Sequence, residues 1–436
     1  MINTNDIPWF LQICILVTAF FVTIATLWPA EAEASDKSAY EKGLRTWSVG
    51  EGQDFTVIAE ALEAAGDGDT IRIHAGVYRE HMLVVKKSIV ILGVGEAVID
   101  VEDRGEGLRI VADNVHIEGL EIRNVPTSHS RDHAAIRFDR VSGGKVIANR
   151  LDNTFFGIYM ARAHDMEIRD NILRAYHTRE STSANGIHLW NSDRALIIGN
   201  VITGHRDGIY LEYVQESSIH HNHVESNIRY GLHFMFSDDC VYHNNRFEDN
   251  GAGVAVMYSR RVKMEHNMFV RNWGASSYGL LLKEITDSEL RYNEFTGNTI
   301  GIRSEGSDRV KIHHNRFHRN GWAIRIMASS MDNLITQNNF IDNAFDVSTN
   351  SRQNNNRFEN NYWDKYSGYD LNGDGIGDIP YRPVRLFSLI VERNPMALML
   401  LRSIFVQLLD LTERVMPTIT PETLVDEKPL MQEVGI

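Results

Sequence analysis

Residues 219–259, IHHNHVESNIRYGLHFMFSDDCVYHNNRFEDNGAGVAVMYS, decide the fold. They hold one pattern twice. An Asn is followed two residues on by an apolar side chain (Asn222 to Val224, Asn245 to Phe247), and further along a Gly is followed directly by another (Gly231-Leu232, Gly253-Val254). Extended in both directions, the Asn triplet recurs at Asn149, Asn171, Asn200, Asn222, Asn245, Asn267, Asn293, Asn315, Asn338 and Asn356, in steps of 22, 29, 22, 23, 22, 26, 22, 23 and 18. The small residue recurs at Gly157, Gly186, Gly208, Gly231, Gly253, Gly279, Gly301 and Ala323, and the two series share their insertions of 29 and 26. A third apolar position stands three residues ahead of the Asn, at Ile168, Ile197, Ile219, Tyr242, Met264, Leu290, Ile312 and Ile335. Three short β-branched or aromatic stretches per repeat, separated by Gly, Asn, Ser and Asp, read as three strands joined by tight turns. The period is about half that of a WD propeller blade, and the Leu-x-x-Leu-x-Leu core of leucine-rich repeats is missing. The expected fold is therefore all-β, a right-handed parallel β-helix of three-strand coils of about 22 residues, stacked about 4.8 Å apart.

Working outward, Phe55 to Ala65 places Val57, Ile58, Leu62 and Ala65 at helical spacing, which suits a short helix capping the first coil. Residues Trp9 to Trp28 are almost wholly apolar and lead into Pro29-Ala30-Glu31-Ala32-Glu33-Ala34, the pattern of a cleaved export signal. The run is also about as long as a bilayer-spanning helix, and either reading puts the remainder outside the cytoplasm. The expected organisation is 1–34 signal peptide, 35–69 N-terminal segment and cap, 70–362 β-helix, 363–384 acidic loop segment, and 385–436 C-terminal helix and tail. With 58 acidic against 44 basic residues the net charge is −14, which disfavours a nucleic-acid partner. Two cysteines, one of them (Cys14) inside the leading apolar run, exclude a disulfide framework and a thiolate metal cage.

Most repeated residues have structural readings. Stacked asparagines at turns bond one another and the backbone of adjoining coils. The Gly series marks a backbone position with φ > 0 or no room for a Cβ. Functional residues are sought on the other side of the strand, because alternate side chains point outward. Positions two and four beyond the Gly give Tyr159/Ala161, His188/Trp190, Tyr210/Glu212, His233/Met235, Ala255/Met257, Leu281/Lys283, Arg303/Glu305 and Arg325/Met327. A solvated face would be Lys, Glu, Thr and Ser. This one is aromatic, His and Met in its middle coils, which suggests a binding surface, unless the insertions at about 174–185 and 272–278 fold over it as a secondary core. His233, Met235 and Met257 offer imidazole and thioether donors suited to Cu(I), with His188 as a less direct fourth. Trp190, Tyr210, Glu212, Tyr258 and Lys283 are candidate partner contacts on the same stripe. His220, His221, His223, His313, His314 and His318 flank the Asn positions and read first as turn residues, with metal ligation as the lesser alternative.

Near the C-terminus, DLNGDGIGD places Asp370, Asn372, Asp374 and Asp378 at the oxygen-ligand positions of a calcium loop, although Tyr381 replaces the closing Glu and no flanking helices are evident. Beyond Asn394-Pro395, Met396 to Val415 reads as one helix, apolar nearly all the way round. Such a helix either caps the last coil or docks on a partner, with Met396, Leu400 and Phe405 as candidate contacts.

The runs GLHFMFSDD (231–239), GAGVAVMYS (251–259) and SSYGLLLKEI (276–285), with the tail NYWDKYSGYDLNGDGIGDIPYRPVRLFSLIVERNP and the ending TPETLVDEKPLM, resemble the NosD family. These are periplasmic β-helix proteins of nitrous-oxide reductase maturation. The resemblance spans essentially the mature chain. It implies an accessory protein without catalytic turnover, in the periplasm and held at the membrane through its partners. Those partners would be an ABC transporter (a permease and its cytoplasmic ATPase), a copper-chaperone lipoprotein and the reductase, whose four-copper sulfide site they would help to build, possible cargo being Cu(I). The competing expectation is a secreted polysaccharide lyase or carbohydrate-binding β-helix. An enzyme of that kind needs a base beside a calcium-holding acidic cluster, or paired carboxylates. Glu212, Lys283, Arg303 and Glu305 supply outward charges without such a cluster.

Overall fold

The computed structural model describes residues 44–351, 354–401, 403–415 and 424–435, and the expected signal peptide at 1–34 lies outside them. Three strands per coil form as the periodicity predicts. In a middle coil they are Val241–His243, Arg246–Glu248 and Ala252–Met257. They pair in parallel with Lys263–Glu265, Met268–Val270 and Leu280–Lys283 of the next coil. The first two strands of each coil build a 25-stranded sheet and the third strands a 12-stranded one. The chain is a parallel β-helix.

Because every coil repeats the last, like side chains stack on like. Phe247, Phe269, Phe295, Phe317, Phe340 and Trp363 run down the interior with successive ring centroids 4.1–5.6 Å apart. Asn267 shows what the Asn column does. Its backbone N–H and side-chain amide both donate to Asn293 Oδ1 at 2.9 and 3.0 Å, and the amide also donates to the Tyr242 carbonyl at 3.0 Å. Its own Oδ1 accepts the matching pair from Asn245. One buried amide thus satisfies polar groups of three coils, which is the structural reading. The last rung differs from the sequence reading. Asn338 bonds Asn361, 23 residues on, while Asn356 belongs to a different column and accepts from Asn333. A second Asn column, Asn227, Asn250, Asn272, Asn298, Asn320 and Asn343, lies five residues after each triplet and bonds in the same way. The Gly column is a matter of space. A Cβ at Gly231 would stand 2.8 Å from the Gly253 carbonyl oxygen and 3.0 Å from Phe247, and the residue has no positive φ.

Both ends of the stack are closed. The strand Thr46–Val49 pairs with Thr70–Tyr78, so the sheet reaches back past residue 70. The helix Ile58–Ala64 buries Ile58, Ala61 and Leu62 on it. Glu80 accepts the Ile58 and Ala59 N–H groups at 2.7 and 2.9 Å, neutralising the open helix start. At the other end Asp426, fully buried, terminates the Asn column by accepting both Asn361 donors and the Trp363 indole N–H at 3.0–3.1 Å. The expected single helix over 396–415 is instead two pieces, a 3-10 helix Pro395–Leu400 and an α-helix Ile404–Val415, and a further α-helix, Leu386–Arg393, precedes them. Asn394 leaves helical geometry (φ −140, ψ 90), and the fold-back lets Phe387, Val391 and Val406 close together on Phe345, beside Trp322. Arg325 pairs bidentately with Glu392 across this contact. Among the described residues no helix is long and apolar enough to cross a membrane.

Candidate functional site

Parallel register carries each outward residue onto its equivalent in the next coil. Tyr159, His188, Tyr210, His233, Ala255 and Leu281 therefore form one column of the 12-stranded sheet. Trp190, Glu212, Met235, Met257 and Lys283 form the column beside it. The first column is not an open face. Tyr159, His188, His233, Ala255 and Leu281 are all at most 9% exposed. The insertions cover it: Asn185, at the end of the first, contacts His188 Nδ1 at 3.3 Å, and Tyr278, at the end of the second, packs with Ala255, Leu281 and Tyr230. A long extra loop costs little entropy, whereas aromatic and aliphatic side chains left in water would cost about 1.5–3 kcal/mol each. The second column remains half-exposed along the edge of this cover.

His233 is the most elaborately held residue of the stripe. Its ring stacks on Tyr210 (centroids 4.6 Å, 22°) and leans on Tyr230 (4.8 Å). Its Nδ1 stands 3.6 Å from Oδ2 of Asp207, which is wholly buried and doubly bonded by Arg229 at 2.9 and 2.5 Å. Burial alone would raise the Asp207 carboxyl, but His233 and Arg229 outweigh it and hold it at about 2. The carboxylate is therefore charged and lies beside the Nδ1 edge of the His233 ring. Both ring nitrogens of His233 are buried and have no hydrogen-bond partner among the described residues. On the same face Met235 accepts the Tyr210 hydroxyl at 3.5 Å and stands directly opposite Met257. One imidazole nitrogen with a free lone pair and two half-exposed thioethers are soft-to-borderline donors, the set that suits Cu(I).

His188 does not join them. The Tyr210 ring lies between it and His233, 4.8 Å from the one and 4.6 Å from the other. Burial, with Arg206 adding to it, pushes the His188 imidazole down to about 3. It is a neutral aromatic spacer at pH 7. Trp190 lies under the Arg162 guanidinium at 5.0 Å, and Glu212 follows it in register, next to Met235. Tyr258 ends an aromatic column that sequence reasoning missed, in which Tyr213 stacks on Phe236 (5.0 Å) and Phe236 on Tyr258 (5.1 Å), with Lys283 5.9 Å from the last ring. These rings stand five residues beyond each Gly, a spacing readable in the sequence. The Asp207–Arg229 pair was missed as well, and it left no signal, because a 22-residue separation becomes a contact only through coil stacking. Cys240 is buried, and burial pushes its thiol up to about 12, so it offers no thiolate.

On the tail helices Met396, Leu400 and Phe405 are 70%, 44% and 50% exposed, on the side away from Phe345. In the acidic loop the oxygens are engaged locally. Asp370 accepts the Gly373 and Gly375 N–H groups, Asp374 accepts that of Ile376, Asp378 accepts that of Leu371, and Asn372 bonds Asp374.

The β-helix thus carries a histidine with unpartnered ring nitrogens beside two thioethers, and a helical tail with exposed apolar residues. Residues 174–368 match the family described as "Periplasmic copper-binding protein (NosD)". Over 390 residues the chain is 29% identical to the "Probable ABC transporter binding protein NosD" of Pseudomonas aeruginosa, covering 85% of this chain and 90% of that one. It is 27% identical to the protein of the same description from Stutzerimonas stutzeri, covering 77% and 81%. Over most of its length the chain is similar to the NosD family. Among solved structures, a variant GH87 alpha-1,3-glucanase catalytic domain in complex with nigerose superposes with a TM-score of 0.63 at 11% identity, covering 77% of this chain and 71% of that one. A Yersinia enterocolitica Family 28 exopolygalacturonase does so with a TM-score of 0.55 at 11% identity, covering 72% and 78%. Likeness at that identity is a likeness of fold.

Proposed function

We propose that this chain is a non-catalytic periplasmic accessory protein that helps assemble the copper-sulfide site of nitrous-oxide reductase. In this reading Cu(I) arrives from a chaperone lipoprotein, is held transiently by His233 Nε2 and the sulfurs of Met235 and Met257, and passes to the apo-reductase. The observation that carries it is the unpartnered Nε2 of a buried His233 beside two half-exposed thioethers. Tyr210 and Tyr230 hold the ring in place beside Asp207, and neither thioether needs to lose a proton before binding. The family description and the names of the two relatives support copper handling and a transporter partner. The exposed apolar side of the tail, with Met396, Leu400 and Phe405, is proposed as the permease contact, and Trp190, Glu212, Tyr258 and Lys283 as the rim met by chaperone or reductase. The loop from Asp370 to Asp378 is proposed to take calcium. A rise in Tm with calcium that Asp374→Asn abolishes is expected, and an unchanged Tm in wild type discards that site.

The test is the metal and sulfide content of nitrous-oxide reductase from cells lacking only this chain. A reductase without its four-copper cluster, restored by wild type but not by the His233→Ala/Met235→Ala/Met257→Ala triple variant, is expected. Full metallation without the chain overturns the maturation role. Restoration by the triple variant removes the ligand assignment and leaves the scaffold.

A further inference from the structure

We propose that His220, His221 and His243 form a second metal site, for a borderline divalent transition cation of the Zn(II) or Cu(II) class, on the 25-stranded sheet rather than on the stripe. The turn chemistry builds it. His220 and His243 are register partners in adjoining coils, and their rings stack at 4.6 Å and 8°. His221 takes a left-handed backbone (φ 57), which swings its ring across both, 79° from the first and 84° from the second. One ligand nitrogen from each of the three lies within 4.8 Å of the others, and the Nδ1 atoms of His220 and His221 are 2.9 Å apart. Tetrahedral ligands at about 2.0–2.1 Å from zinc stand about 3.3 Å apart, so small side-chain rotations close the set.

The surroundings favour a cation. His243 Nδ1 lies 3.0 Å from the side-chain oxygen of Asn244, which can only accept. That contact favours the ring proton on Nδ1 and so leaves the lone pair on Nε2, the outer-shell arrangement of metal-bound histidines. An all-imidazole set selects Cu(II) and Zn(II) over the softer Cu(I), which wants thioether or thiolate. The neighbouring group of His223, Glu225 and Glu248 is a poorer candidate, since Arg246 and Arg271 already occupy Glu248. The protein also carries its own control. His313 and His314 repeat the doublet, with Nδ1 atoms 2.9 Å apart and rings at 80°, but the register partners of His313 are Arg291 and Thr336, and Glu289 takes its Nε2 at 2.8 Å. The doublet is a turn habit. The third imidazole makes the site.

The experiment uses the untagged, metal-free full chain, titrated calorimetrically with ZnCl2 and followed by EPR with CuCl2. The variants are His221→Asn, which copies the Asn244 of the adjoining coil and so suits the backbone, and His243→Gln. One saturating equivalent with imidazole-nitrogen couplings is expected in wild type. Each variant should weaken it about tenfold or more, since even outer-shell changes cost about 10–100-fold. The His313→Ala/His314→Ala variant should bind as wild type, and so should His233→Ala, which separates this site from the proposed Cu(I) ligands. Absence of saturable binding in wild type, undiminished binding in both His221→Asn and His243→Gln, or an equal loss in His313→Ala/His314→Ala overturns the assignment.

Discussion

The interior-and-turn columns and the outward face of the short sheet obey the same coil period and use it in opposite ways. In the Asn and Phe columns each coil repeats the last, and every residue takes the bonds its predecessor takes: Asn245, Asn267 and Asn293 are interchangeable rungs. On the outward face consecutive equivalents are His188, Tyr210, His233 and Ala255, each in different company. Stability in a repeat fold comes from nearest-neighbour stacking, so a column that repeats is there to stack. A column that changes from coil to coil is not needed for stacking and is free to bind.

That contrast can be broken by mutation, most strongly from the inside. Phe295→Ala empties the middle of the ring stack and should lower unfolding stability by about 4 kcal/mol, read by chemical denaturation. Asn267→Ala leaves four partner groups in adjoining coils short of a bond and should cost about 3 kcal/mol. A loss below about 1 kcal/mol in either would show that the repeated columns are not what holds the coils together.

The covered stripe should reveal itself through pH. His188 is neutral in the folded protein, held at about 3 by burial, whereas the unfolded chain takes up a proton below its ordinary value near 6.5. Stability is therefore full above that value and declines as pH falls below it, by about 2 kcal/mol between pH 7 and pH 5. His188→Gln should flatten that part of the slope, and an unchanged slope would mean that the insertions do not seal the column. The smallest stability effect belongs to the half-exposed edge. Met235→Ala and Met257→Ala should each change stability by less than about 1 kcal/mol. They should nevertheless weaken Cu(I) binding, measured by competition with a chromophoric chelator, about tenfold or more. A large stability loss with unchanged copper affinity would put the two methionines with the core.

Legibility followed the same line. The fold, the two insertions and the structural reading of the Asn triplets were open to a reader of the sequence, because a residue that must stack on its own copy recurs at the stacking interval. The slip at Asn356 has the same cause, since near the last coil the spacing changes and only the bond from Asn338 shows that Asn361 is the next rung. The segments that leave the repeat were harder. Nothing local announces that Asp426 closes a column begun at Asn149, or that the tail breaks at Asn394 and folds back on Phe345. The candidate copper residues were half legible. Their outward direction follows from strand alternation, but the Tyr210 ring that separates His188 from His233 was not foreseen, nor was the buried Asp207–Arg229 pair beside His233.

The sequence by itself determined the β-helix, the residues that stack, and the face on which His233, Met235 and Met257 stand, because periodicity and alternation are local properties that every coil states again. The tertiary structure alone decided how much of that face is covered, that His233 is buried with unpartnered ring nitrogens, and that His220, His221 and His243 meet. Those depend on loops and rings from coils 22 residues or more apart, whose approach is fixed only once the coils have stacked.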